Sequence, residues 1–188
     1  MIRQAPPFEP LPTPRAEDGK RIYLYDKPHY VDEGTQPTFV SESAKFCLEG
    51  VEFDTVVGIG VSGAVALPPA AMATGTRMLV LRKPGVSAHS TAHTGSLGRS
   101  WVFVDDFIGG GTTFKGVREQ VDLLAAECGF TSRFAGAFLY GYWPSIAQIH
   151  NGAADHRAPT FLDAEAFYDR YPMLAPMPDD KPLWSDAC

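Results

Sequence analysis

Short apolar runs alternate along the chain with segments whose apolar residues recur at helical spacing. The clearest helix is predicted over residues 114–128, and Gly129 directly after it is typical of a helix C-terminus. The apolar face of this helix consists of Val117, Val121, Leu124, Ala125 and Cys128. Further helices are predicted over residues 41–50, 64–73 and 163–170, and strands over residues 21–25, 55–57, 77–81, 101–104 and 133–141.

Strands that alternate with helices predict an α/β fold with a mainly parallel sheet and helices on both of its faces. The chain has 188 residues, which is enough for one domain with a full core and short for two. Residues 1–20 are rich in proline and predict a flexible arm, so the single domain is expected over residues 21–188. In a parallel sheet the segments after residues 57, 81 and 104 should face one cleft.

Composition and charge narrow the class of partner. Apolar residues make up 45% of the chain and the formal net charge is −6, which argues against a nucleic-acid partner. A small anionic ligand is still compatible, because a site can be locally positive on an acidic protein. Cys47, Cys128 and Cys188 are far apart and favour a reducing cytoplasm over a disulfide framework. No signal peptide is predicted, and no stretch approaches the roughly 18 apolar residues of a membrane span.

The first candidate motif is the run Gly-Ile-Gly-Val-Ser-Gly at residues 58–63, just after a predicted strand. It matches the dinucleotide fingerprint G-x-G-x-x-G, whose glycines permit a tight turn and bare N–H groups for a phosphate. The fingerprint also needs an acidic residue about 20 positions later, and residues 55–104 contain neither Asp nor Glu. Arg82 could accept the extra phosphate of NADP instead, and a plain tight turn is the structural alternative.

The acid-free segment contains Arg77, Arg82, Lys83 and Arg99, a set of cations that suits a polyphosphate. Chance depletion in an apolar region is the alternative. Residues 84–100 are rich in Gly, Ser, Thr and His and lack an apolar period, which predicts a lid. Two histidines in this segment are four positions apart, but no acidic partner is near, so a histidine metal site is not expected.

The strongest motif follows the predicted strand 101–104. Asp105 and Asp106 are adjacent carboxylates, which repel each other unless a cation or hydroxyl groups share them. A loop of three glycines and two threonines follows and leads into the predicted helix 114–128. Such a loop offers N–H groups, hydroxyls and a positive helix end to a phosphate. The pattern predicts a site for a phosphorylated ribose, with a solvated turn and a flexible loop as the alternative.

Residues 102–113, Val-Phe-Val-Asp-Asp-Phe-Ile-Gly-Gly-Gly-Thr-Thr, resemble the phosphoribosyl pyrophosphate signature of type I phosphoribosyltransferases. Residues 58–63 resemble the pyrophosphate loop of that family, residues 82–85 resemble the start of its flexible lid, and residues 84–100 correspond to the lid itself. The resemblance covers about residues 50–142. Gly110 stands where the family usually has Thr, which removes one hydroxyl contact to the phosphate, and Val61 and Ser62 stand where a charged residue is common.

The resemblance implies an enzyme that moves a 5-phosphoribosyl group between phosphoribosyl pyrophosphate and a nucleobase or similar nitrogen acceptor, with Mg²⁺. It implies a core over about residues 50–142, a small variable hood from residues 21–45, residues 145–188 or both, and a homodimer. Asp105 and Asp106 would be catalytic by holding the ribose hydroxyls, and would meet the metal only indirectly, through those hydroxyls or water. The 5-phosphate would be bound by Gly109, Gly110, Gly111, Thr112 and Thr113. The pyrophosphate would be bound by Gly60, Val61, Ser62, Gly63, Arg82 and Lys83, and the lid would contribute Ser87, His89, His93 and Arg99.

Two other functions remain open at this point. A non-catalytic regulator that binds phosphoribosyl pyrophosphate or a nucleotide is compatible with Gly110. A small NAD(P)-dependent oxidoreductase is compatible with residues 58–63 and is disfavoured by the missing acidic residue. The acceptor is undefined by the sequence, although Phe138, Tyr140 and Tyr142 alternate on one strand face, where they form either a base-stacking surface or part of the core.

Overall fold

The computed structural model describes residues 1–4, 36–83, 92–141 and 158–176. Its seven-stranded sheet is built from β1 Ile2–Gln4, β2 Thr55–Ile59, β3 Arg77–Leu81, β4 His93–Gly95, β5 Ser100–Asp105, β6 Arg133–Leu139 and β7 Thr160–Asp163. The helices are α1 Pro37–Cys47, α2 Gly60–Thr74, α3 Thr112–Glu127 and α4 Ala164–Arg170, and a 3₁₀ turn follows at Pro172–Leu174. No helix within these ranges is long and apolar enough to cross a membrane.

The strands lie in the order β1-β7-β6-β5-β2-β3-β4. The central strands β6, β5, β2 and β3 are parallel to their neighbours, whereas β1, β7 and β4 pair antiparallel at the flanks. The predicted α/β fold with a parallel centre is therefore confirmed. The flanking strands make the complete sheet mixed, and they were not predicted, because three or four residues carry too little alternation to be recognised.

Helices cover both faces of the sheet, as predicted. Helices α1 and α2 pack on one face over a core that includes Val102 and Tyr140. Helices α3 and α4 pack on the other face over a core that includes Phe103 and Phe114. Val102 and Phe103 belong to opposite cores because successive side chains of a strand point to opposite faces. Strand β5 is therefore buried on both sides, which holds its C-terminal end firmly in place.

Several boundaries differ from the predictions. Helix α1 begins at Pro37, earlier than the predicted residue 41, with the proline in its first turn. Helix α2 begins at Gly60 and continues through Pro68 and Pro69, so the prolines do not mark its first turn. Residues 2–4 of the predicted flexible arm form β1, whose partner is β7. The predicted strand 21–25, the rest of the arm and most of the predicted hood lie outside the described residues.

Two glycines of the first motif allow helix α2 to pack closely on strand β2. A Cβ on Gly63 would lie 2.7 Å from the carbonyl carbon of Gly58, and a Cβ on Gly58 would lie 2.9 Å from Cα of Gly63. The strand and the helix therefore touch through bare backbone at this crossing. The residues predicted to form a tight turn are instead the end of β2 and the first turn of α2.

Replacing Gly63 with Ala is expected to lower the free energy of unfolding by about 1–3 kcal/mol, because the new Cβ forces α2 away from β2. Gly116→Ala is the matched control. Gly116 also lies in a helix, but a Cβ there meets nothing within 4 Å, so alanine should stabilise the protein by about 0.5–1 kcal/mol. Urea denaturation measures both variants, and equal effects would contradict the close crossing.

Candidate functional site

The described residues that follow β2, β3 and β5 meet at one edge of the sheet. Strands β2 and β3 are parallel and pair Ile59 with Leu81, and β5 is parallel to β2 on its other side. The chain thus leaves β2 for β3 on one side and later enters β5 on the other, which makes the β2–β5 boundary a topological switch point. Ligands of open α/β sheets bind in the crevice outside such a point. The predicted shared edge is confirmed.

A cleft of about 320 Å³ lies at this edge. Its lining includes both predicted acidic residues and all five residues of the predicted phosphate loop, together with Ser62 of the first motif and Lys83 of the acid-free segment. Ile59, Phe103, Phe107, Ile108 and Phe114 supply its apolar surface. Residues far apart in the sequence are therefore brought into a single polar cavity with an apolar floor.

Asp105 and Asp106 are held rigidly at the end of β5. The two residues are only 7% and 8% exposed. The Tyr140 N–H donates to the carbonyl oxygen of Asp105 at 3.0 Å and the Gly141 N–H to that of Asp106 at 2.9 Å, so the ladder with β6 continues past the strand end. The Asp105 Oδ1 atom accepts hydrogen bonds from Ser62 Oγ at 3.0 Å and from the Asp106 N–H at 3.0 Å.

The environment of Asp105 favours its protonated form. Burial, together with the neighbouring charge of Asp106, raises the pKa of Asp105 to about 8, while the hydrogen bond from the Ser62 hydroxyl acts in the opposite direction. Near neutral pH the acidic pair therefore retains a proton. A ligand that brings hydroxyl donors or a cation to this position would replace that proton and relieve the repulsion.

The glycine loop and the start of α3 form an anion-binding surface. Gly109 and Gly110 are exposed, and Gly111 is the N-cap of α3 with φ +75°. Gly111 has no side chain to cap the helix, and the first turn contains no acidic residue. The first amides of α3 therefore have no intrahelical acceptor, and Thr112 and Thr113 expose their side chains beside them. Backbone donors and the helix dipole together favour a phosphate at this point.

The residues of the first motif have different roles from one another. Ser62 lines the cleft, and the Tyr140 hydroxyl anchors it by donating to the Ser62 carbonyl oxygen at 3.0 Å. Gly60 has φ +67° and lies under Lys83, whose Cε atom would be 3.2 Å from a Cβ at this position. Val61 is 68% exposed, and Gly63 is buried against β2. Only part of the predicted pyrophosphate loop therefore faces the cavity.

The predicted lid is only partly within the described residues. Ser87 and His89 lie outside them. His93 lies in β4, opposite Leu81 of β3. Arg82 is not among the residues that line the cleft, and its N–H donates to the Ala92 carbonyl oxygen at 3.0 Å.

The structure corrects the prediction that Arg99 is a lid residue of the cleft. It precedes β5, and its N–H donates to Asp54 Oδ2 at 2.8 Å, while its guanidinium lies 5.7 Å from the centre of the Phe130 ring. Strand β5 has six residues, which separate its two ends by roughly 20 Å. Arg99 therefore lies at the opposite edge of the sheet from Asp105.

Two alternatives were open for the aromatic side chains on one strand face, a base-stacking surface or part of the core, and the structure shows the core for Phe138 and Tyr140. Phe138 and Tyr140 are both 0% exposed and belong to the core on the α1–α2 face, so neither forms a base-stacking surface. Tyr142 lies outside the described residues. Phe107 was not predicted as a site residue, yet it is half-buried and lines the cleft. The sequence indicates this role only through the position of Phe107, which lies between the acidic pair and the glycine loop.

Comparison with known proteins gives similarities to solved structures alone, since no family model and no curated protein matches the chain. An adenine phosphoribosyltransferase from Thermoanaerobacter pseudethanolicus is 22% identical, and the match covers 53% of this chain and 67% of that chain with a TM-score of 0.38. A UMP synthase from Leishmania donovani is 15% identical, and the match covers 72% of this chain and 27% of that chain with a TM-score of 0.44. An orotate phosphoribosyltransferase from Francisella tularensis is 14% identical, and the match covers 80% of this chain and 76% of that chain with a TM-score of 0.46. Each of these similarities covers only part of the present chain.

Proposed function

We propose that the chain is a phosphoribosyltransferase that moves a 5-phosphoribosyl group between phosphoribosyl pyrophosphate and a nucleobase or similar nitrogen acceptor. One observation carries the proposal. The buried pair Asp105 and Asp106 and the uncapped start of α3 line the same cleft. Carboxylates suit the hydroxyl groups of a ribose, and helix amides suit its phosphate, so the two halves of the cleft fit the two ends of one ligand.

The 5-phosphate is assigned to residues 109–113. Gly109 and Gly110 carry no side chains that would block access to the loop backbone, and a Cβ on Gly110 would meet nothing within 4 Å. The exposed hydroxyls of Thr112 and Thr113 add donors beside the amides of the first turn. These donors and the positive end of the helix dipole favour an anionic phosphate group at this point.

The pyrophosphate is assigned to the part of the cleft formed by Ser62 and Lys83. Both residues line the cavity, and Ser62 lies in the first turn of α2, whose first turn contains no acidic residue. A lysine ammonium beside a helix N-terminus supports the binding of a negatively charged leaving group. The Ser62 hydroxyl also donates a hydrogen bond to Asp105, so the assigned pyrophosphate position lies next to the acidic pair.

The chemistry follows from where the charges lie. The bond between the anomeric carbon and the pyrophosphate oxygen breaks, and pyrophosphate keeps the bonding electrons. The acceptor nitrogen supplies the electrons of the new bond and releases its proton. In the transition state between bond breaking and bond formation, the ribose carries positive charge. The negative charge of the acidic pair would stabilise that state. Burial in a low-dielectric cavity strengthens this effect.

Mg²⁺ fits the donor set of the cleft. Asp105 and Asp106 present adjacent carboxylates, the hard oxygen ligands that this ion prefers, and their mutual repulsion falls when a cation is near. The pair would hold the ion indirectly, through ribose hydroxyls or water. When bound, the ion would supply positive charge that neutralises the leaving pyrophosphate. The homodimer and the cytoplasmic location stay predictions from the sequence.

The experiment that tests the proposal measures pyrophosphate release from phosphoribosyl pyrophosphate in the presence of Mg²⁺ and a panel of purine and pyrimidine bases. Release that depends on one or a few bases is the expected result. Release that is absent with every base, in a protein that binds phosphoribosyl pyrophosphate, would favour a non-catalytic regulator. That second candidate is supported by Gly110, which leaves the loop without the hydroxyl that the family signature usually has.

A further inference from the structure

We propose that Leu174 is a positioning residue for the phosphate loop. Its side chain packs against the left-handed glycine Gly111 and holds the loop in the shape that presents its amides to a phosphate. The nature of the ligand rests on the function proposed above. The packing itself is independent of that function, because it depends only on contacts within the chain.

The contact between Leu174 and Gly111 is direct. A Cβ on Gly111 would lie 2.9 Å from Cδ1 and 3.0 Å from Cγ of Leu174. The leucine side chain therefore occupies the space where a side chain of residue 111 would stand. Gly111 is buried and Leu174 is only 4% exposed. Gly111 also lines the cleft, so Leu174 packs directly on a residue of the phosphate loop.

Leu174 reaches this position at the end of a short, well-bonded segment. After helix α4, the Tyr171 N–H donates to the Phe167 carbonyl oxygen and the Leu174 N–H to the Tyr171 carbonyl oxygen, both at 2.9 Å. Phe167 packs on Phe114 of α3, with ring centres 4.7 Å apart. Helix α4 and the residues after it therefore contact the start of α3 at two points. Phe167 packs on Phe114 in the first turn, and Leu174 packs on the N-cap residue Gly111.

The loop needs such support because its own residues supply little. Glycine visits the left-handed region as readily as other regions, so the φ of +75° at Gly111 is not imposed by the residue. Gly110 adds further freedom, and no neighbouring atom would touch a Cβ there. Three consecutive glycines would lose much conformational freedom when a phosphate binds. A packed leucine removes part of that freedom beforehand, and such preorganisation raises affinity.

The test compares Leu174→Ala with Leu162→Ala. Leu162 is 0% exposed and belongs to the same core, but it lies in β7 and does not line the cleft. Both variants lose stability, and only Leu174→Ala is expected to loosen the loop. Its affinity for ribose 5-phosphate should fall about tenfold, and the amides of residues 109–113 should exchange with solvent faster. Leu174→Met should restore most of the affinity.

The outcomes separate the two proposals. If wild-type protein binds neither phosphoribosyl pyrophosphate nor ribose 5-phosphate, the proposed function fails, and amide exchange still tests the packing role. If the loop amides of folded Leu174→Ala exchange as in the wild type, or if Leu162→Ala loosens them equally, Leu174 is an ordinary core residue. Should Leu174→Ala not fold, Leu174→Val removes a single methylene group and is measured in the same way.

Discussion

Asp105→Asn should lower the rate of pyrophosphate release by about 100- to 1,000-fold, the usual cost of losing one electrostatic contact to a transition state. Its affinity for phosphoribosyl pyrophosphate should fall far less. The carboxylate is needed most when the ribose becomes cationic, and interactions that strengthen in the transition state appear in the chemical step. Asp106→Asn should behave similarly, because both side chains line the cleft. Single-turnover kinetics and an equilibrium titration measure the two effects separately.

Asp122→Asn is the control for this comparison. Asp122 is a partly buried carboxylate on α3 that pairs with Arg118 at 3.6 Å, and it does not line the cleft. Its replacement should leave pyrophosphate release within a few-fold of the wild type. A loss of binding in Asp105→Asn as large as the loss of turnover would assign the acidic pair to ground-state binding instead of catalysis.

The second large effect concerns stability. The free energy of unfolding is expected to fall as the pH rises from about 4 to about 8, through the contribution of Asp105. The pKa of this carboxyl is about 8 in the folded protein, against the ordinary value of 3.8, and burial is the main cause. Between these values the folded state binds a proton that the unfolded state has released. The contribution to stability is therefore complete below about pH 4, declines by about 1.4 kcal/mol per pH unit between about pH 4 and pH 8, and is absent above that range.

Asp105→Asn isolates this contribution, because asparagine does not titrate. The difference in free energy of unfolding between the variant and the wild type should grow in favour of the variant from pH 4 to pH 8, and stay constant at higher pH. Urea denaturation at a series of pH values gives the difference directly, and the titrations of groups that do not interact with Asp105 largely cancel. A difference that does not change with pH would show that Asp105 is ionised in the folded protein throughout this range.

The central part of the fold was predictable because its signals are local and strong. Strands β2, β3 and β5 are apolar runs that end in turn or polar residues, and α3 has a regular apolar face followed by Gly129. Once these strands are taken as parallel, their carboxyl ends must meet at one edge. The meeting of Ser62, Lys83 and Asp105 in one cleft follows from that geometry alone.

The remaining features depend on contacts between distant parts of the chain. Strand β7 pairs with β6, and β1 pairs with β7, and no local pattern in the sequence reveals either pairing. The sequence predicts a lid that includes Arg99, because the composition of residues 84–100 does not show where the loop ends and β5 begins. Leu174, near the end of the last described segment, contacts Gly111 of the phosphate loop. The spacing of residues in the sequence does not predict this contact.

Calorimetric titration of the wild-type protein with phosphoribosyl pyrophosphate, in the presence of Mg²⁺, tests the central claim most directly. The cleft predicts saturable binding at one site per chain, with ribose 5-phosphate competing for the same site. Asp105→Asn should retain most of this binding, and the Asp122→Asn control should retain all of it. If the folded wild-type protein binds neither phosphoribosyl pyrophosphate nor ribose 5-phosphate, the cleft at the β2–β5 boundary is not a ribose-phosphate site.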